Sequence, residues 1–132
     1  MLPKQMRIIG ALLALLLFTS ICVAGEPEFK VAVAADGQEK SSQVSMEAGR
    51  APYYLIFDLD GKLFEAVANP YAGAARGAGG STADFLAEKK VNMVIAGRFG
   101  SKMAAALKAA DIRYIEKQGI AIDVIKGAEH AN

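Results

Sequence analysis

The chain has 132 residues, with 15 basic and 14 acidic side chains, a formal net charge of +1, one cysteine and one histidine. That balance excludes the one-sided basic excess of a nucleic-acid-binding surface. The two counts leave no material for a disulfide framework or for a metal centre built from clustered His and Cys.

At the amino terminus, Lys4 and Arg7 precede Ile8–Ala24, 17 residues without a charge. A transmembrane helix needs about 20 apolar residues, whereas a secretory signal needs a shorter apolar core followed by small residues. Residues 1–25 therefore read as an export signal, cut before Gly25 or Glu26, and Gly25-Glu26-Pro27 interrupts any helix there. The expected location is periplasmic or secreted, with membrane contact only through an uncleaved signal. The only cysteine, Cys22, lies in this segment, and its flanking Thr19-Ser20-Ile21 does not suit lipidation. Residues 26–132 keep 13 basic and 14 acidic groups and suffice for one domain.

Phe29–Ala35 suits a buried first strand, and Asp36–Gly49 is polar and reads as a long loop. Tyr53–Asp58 and Lys62–Ala68 form a hairpin across Asp60-Gly61. The run Asn69–Gly80, with four glycines, reads as a flexible loop. Ser81 or Thr82 should then cap a helix with Asp84 in its first turn. Val91–Ala96, apolar nearly throughout, should be a central parallel strand. Gly97–Gly100 turns into a helix, Ser101–Ala110, with Met103, Leu107 and Ala110 on one face. Ile112–Ile115 is a short fifth strand, and Ala121–Lys126 a last amphipathic turn. A hairpin followed by alternating strands and helices predicts a mixed sheet with helices packed on it.

The chemistry-bearing residues are few. His130 stands three residues from the end, and Met93 and Met103 fall on apolar faces, so Met46 is the one methionine left as a ligand candidate. The serines have no histidine to activate them; turn chemistry accounts for Asp60, while Asp58, at a strand end where some α/β folds carry a catalytic carboxylate, reads as structural with no acid–base partner standing out. The expectation is a protein that is not an enzyme. Three arginines, however, stand beside glycines: Arg50 after Gly49, Arg76 before Gly77-Ala78-Gly79-Gly80, and Arg98 within Gly97–Gly100. Backbone N–H groups at such strand-to-helix turns suit anions. In an open α/β sheet they would meet beyond the carboxyl ends of the strands. One shallow anion-selecting cleft bounded by these three segments is therefore expected.

The order GRAPYYLIFD, Asn69-Pro70 and GAGGSTADFLAEKKVNMVIAGRFGSKMAAALKAADIRYI resembles the dinitrogenase iron-molybdenum cofactor biosynthesis family over residues 29–127. The resemblance implies a ribonuclease H-like three-layer α/β/α fold with a five-stranded mixed sheet. It also implies a non-catalytic carrier of an anionic iron–sulfur cluster or iron–molybdenum cofactor, and the cofactor itself is left unassigned. Ser45, Gly49, Arg50, Gly77, Gly79, Gly97 and Gly100 match the family's positions. The family often has His where this chain has Glu47. Two functional classes follow: an exported binder of an anionic metallocluster or an oxyanion, and an exported interaction domain with a vestigial pocket and an unidentified protein partner.

Overall fold

The computed structural model describes residues 28–128. Residues 1–25, expected from the sequence to be an export signal, and His130 lie outside the described residues. The elements are β1 (Val31–Ala35), a 3-10 turn (Ala48–Arg50), β2 (Tyr53–Phe57), β3 (Leu63–Ala68), α1 (Ala78–Glu88), β4 (Met93–Ala96), α2 (Ser101–Ala109), β5 (Arg113–Glu116) and α3 (Ala121–Ala128). The five strands form one sheet in the order β3-β2-β1-β4-β5. The β1–β2 and β2–β3 pairs are antiparallel, and β1–β4 and β4–β5 are parallel.

Alternation along the strands divides the core in two. Ala32, Ala34, Tyr54, Ile56, Val94 and Ala96 face Ala83 and Leu86 of α1 and Met103 and Leu107 of α2. Val31, Val33, Leu55, Phe57, Met93 and Ile95 face the other way, onto Ala121, Val124 and Ile125 of α3. The result is the three-layer α/β/α arrangement with a mixed sheet. β1 is buried on both sides and β4 lies between β1 and β5, in parallel with both, as its apolar run requires. In the hairpin, Gly61 takes φ +89° and Lys62 N–H donates to the Asp58 carboxylate at 2.9 Å, so Asp58 serves the turn.

Three local expectations need correction. Helix α1 begins at Ala78, three residues before Ser81, on an N-cap Gly77 at φ +70°. Thr82 and Asp84 are therefore interior to the helix, and Thr82 is fully buried. A helix can begin among these glycines because packing decides it: a Cβ at Gly79 would lie 3.0 Å from the Met103 Cβ, so glycine lets α1 and α2 approach. The stretch Asp36–Gly49 is a loop as expected, and it is tied down by bridges from Val44 to Ala35, Gln43 to Ile120 and Glu47 to Arg98. Ala110 caps α2 and is exposed, since the helix has already left the sheet there. Strand β5 is shifted by one residue, to Arg113–Glu116, by its pairing with β4.

Gly80 sits in the first turn of α1, and a Cβ there would meet nothing within 4 Å. Gly80→Ala should therefore stabilise the fold by about 0.5 kcal/mol through the unfolded chain. A higher urea midpoint with unchanged slope would show it, and a lower midpoint would refute the open-space reading of this position.

Candidate functional site

Sheet register explains which loops meet. Ala35 pairs with Tyr53, and Tyr53 with Ala68, so the end of β1, the start of β2 and the end of β3 share one edge. β4 runs parallel to β1, which brings its end, and the Gly97–Gly100 turn, to the same edge. A cleft of about 580 Å³ opens there, and its walls include Glu47–Arg50, Gly77–Gly80 and Arg98–Met103.

The 3-10 turn is held from beneath. The buried Tyr54 hydroxyl donates to the Ala48 carbonyl, and burial pushes this phenol far above its ordinary pKa. The Gly49 carbonyl accepts from Thr82 Oγ1 at 3.0 Å and from Asn69 Nδ2 at 3.3 Å. Asn69 in turn accepts the Tyr71 N–H at 3.1 Å, and its own N–H donates to Pro52 O at 2.9 Å. Two carbonyls of the turn are thus engaged by the fold's own donors. Gly49 also packs backbone to backbone on α1, since a Cβ on it would sit 2.9 Å from the Gly79 Cα.

The turn after β4 is fastened to the same wall. Gly97 N–H donates to Ser45 O at 2.9 Å, Ala48 N–H to Arg98 O at 3.0 Å, and Phe99 N–H to the Glu116 carboxylate at 3.1 Å. The Phe99 ring rests on Tyr114, with centroids 5.0 Å apart.

Two helices start at this cleft. Neither α1 at Gly77 nor α2 at Gly100 has a side-chain cap. The first-turn N–H groups of both helices, at Ala78–Gly80 and Ser101–Met103, have no partner within their own helix. Each helix end also carries roughly half a positive charge. Arg50, Arg98 and Lys102 add side-chain cations, opposed by the one carboxylate among the wall residues, Glu47.

The sequence-derived residues separate into two groups. Gly49, Arg50, Gly77, Gly79, Arg98 and Gly100 line the cleft. Ser45, Arg76 and Gly97 are not among its walls. Ser45 is buried in the backbone ladder, accepting from Gly97 and donating its N–H to Ala34 O. Gly97 is glycine because a Cβ would fall 2.8 Å from the Met46 Cα. Arg76 is exposed on the loop before α1. Arg50 differs from the rim cation expected: its Nη1 donates to Ala74 O at 2.8 Å and Ala72 O at 3.4 Å, clamping the loop after β3. Sequence reasoning missed Lys102 and placed Glu47 only as a family substitution. Lys102 at the second helical position after Gly100 was the available signal. Met46 is half exposed and receives Gln118 Nε2 at its Sδ, 3.9 Å away. Among the described residues, no group of three or more His, Cys, Asp or Glu side chains is placed to hold a metal ion.

Residues 29–129 match the family model described as dinitrogenase iron-molybdenum cofactor. The fold is similar to the apo form of the orange protein from Desulfovibrio gigas, with TM-score 0.74 and 24% identity over 81% of this chain and 92% of that one. A NifB-like protein from Thermotoga is 30% identical, with TM-score 0.66 over 76% of this chain and 87% of that one. A dinitrogenase-related protein from Methanocaldococcus jannaschii has TM-score 0.53 and 17% identity, over 77% of this chain and 92% of that one. No curated protein matches the sequence. A family match spanning nearly all the described residues, together with the shared sheet and helices, places this chain in the dinitrogenase iron-molybdenum cofactor family.

Proposed function

We propose that this chain is an exported, non-catalytic carrier that holds an anionic metallocluster, or an anionic fragment of one, in the cleft at the sheet edge. One observation carries the reading: two uncapped helix N-termini open onto a single cleft walled also by Arg98 and Lys102. Free N–H groups and helix dipoles attract oxygen- or sulfur-bearing anions without coordinating a metal. The donor set suits cargo held by its outer anionic atoms, because the walls of the cleft present backbone N–H groups and cationic side chains and neither cysteine nor histidine. Holding by hydrogen bonds and charge is also reversible, as a carrier needs.

Tetrathiomolybdate, a coloured molybdenum–sulfur dianion, is a direct probe. Equilibrium dialysis of anaerobically purified protein should show about one dianion per chain. Binding should weaken as salt rises, because the screening length shrinks from about 10 Å at 0.1 M to about 3 Å at 1 M. Absence of saturable binding at millimolar probe would sink the reading.

Export rests on the basic Lys4 and Arg7 ahead of the uncharged Ile8–Ala24. Intact-mass measurement on protein from the periplasmic fraction should give a chain beginning at Gly25 or Glu26. Recovery of Met1-containing chains from the cytosol alone would overturn it.

A further inference from the structure

We propose that Glu47 is an internal competitor for the cleft's ligand. Its carboxylate holds Arg98 when the cleft is empty, and an incoming anion must displace it. The inference rests on the anion-binding reading above and adds to it a residue that sets how tightly anions bind.

The backbone puts the pair in place. Glu47 and Arg98 are bridged in parallel, and Ala48 N–H donates to Arg98 O at 3.0 Å. One residue earlier, Gly97 N–H donates to Ser45 O, and Gly97 packs directly on the Met46 backbone. The two segments are thus zipped together, and both side chains belong to the cleft wall. Arg98 Nη2 lies 3.5 Å from Glu47 Oε1, and both side chains are more than half exposed. An exposed pair of this length contributes little to stability. It is weak enough to open, yet it keeps the guanidinium beside a carboxylate until something stronger arrives.

The pairing has a consequence for affinity. Parting the pair costs every incoming anion the same, whatever its charge, and each still meets the Glu47 carboxylate. A dianion, or a larger multiply charged cluster, gains more from Arg98, Lys102 and the helix ends than the carboxylate can offer. Glu47 therefore lowers the affinity of every anion, and that of a dianion most, because the repulsion from its carboxylate scales with the ligand's charge. A structural role for the pair would predict the opposite sign, since breaking it would loosen the wall and weaken binding.

The test is tetrathiomolybdate titration of wild type, Glu47→Gln, Arg98→Gln and the double variant, followed by competition with chloride. Glu47→Gln should bind roughly threefold to tenfold more tightly, and a given chloride concentration should displace less of the dianion than it does from wild type. In the Arg98→Gln background the Glu47→Gln gain should fall to less than half, because the carboxylate acts through the guanidinium. Unchanged or weaker binding by Glu47→Gln, with wild type still binding, overturns the competitor role and leaves the carrier reading standing. An equal gain in both backgrounds also overturns it, assigning the effect to net charge. Failure of every variant and of wild type to bind removes the carrier reading and this inference together.

Discussion

Replacing Gly97 with alanine should cost the domain roughly 2–3 kcal/mol of stability. The added Cβ would stand 2.8 Å from the Met46 Cα and 2.9 Å from the Met46 O. Both are backbone atoms and cannot turn aside as a side chain would. Either the segment carrying Met46 moves off the turn after β4, or the turn moves off β1. Both movements break the Gly97 N–H to Ser45 O bond and strain the Ala48 N–H to Arg98 O bond. For a domain near 100 residues such a loss lowers Tm by about 10–20 °C. Gly100→Ala is the control: its backbone is at φ −70°, and a Cβ there meets nothing within 4 Å. Calorimetry should show a large fall for the first variant and a change within about 0.5 kcal/mol for the second. Equal behaviour of the two would mean that close approach is not what keeps Gly97 a glycine.

The largest effect on binding should come from removing Arg98 and Lys102 together. Arg98→Ala/Lys102→Ala should weaken tetrathiomolybdate binding by roughly tenfold to a hundredfold, since hydrogen bonds to charged groups contribute more than neutral ones. Lys102 is exposed and the Arg98 side chain pairs with Glu47 at the surface, so the melting temperature should stay within about 2 °C of wild type. Arg50→Ala should behave differently, because its guanidinium holds the Ala72 and Ala74 carbonyls. That variant should lose stability as well as affinity, by about 1 kcal/mol. Normal binding by the Arg98/Lys102 double variant would place the anion elsewhere.

Much of this architecture was legible along the chain, because strands and turns declare themselves locally. β-branched and apolar runs marked β1 and β4, Asp60-Gly61 marked the hairpin, and Gly97–Gly100 marked a strand-to-helix turn. The rule that α/β sheets open their crevices at strand carboxyl ends also named the three segments that wall the cleft. Glycine, by contrast, carries one letter for several physical reasons. Gly77 takes a left-handed φ, Gly49, Gly79 and Gly97 yield space to another backbone or side chain, and Gly80 meets nothing. Only the folded arrangement separates these cases, since each depends on what another segment places within 4 Å. The start of α1 at Ala78 has the same origin: contact with Gly49 and Met103 outweighs the weak helix preference of its glycines.

Charge is the second matter that the linear chain left open. Three arginines beside glycines looked equivalent, yet Arg50 is a clamp, Arg76 stands outside the cleft and Arg98 faces a carboxylate. Residue type and spacing determine how many cations a loop carries and which strand ends they follow. Which of them remain available to a ligand is decided by carbonyls and carboxylates that distant segments bring alongside, and those partners, 22, 24 and 51 residues away in sequence, meet only when the sheet assembles.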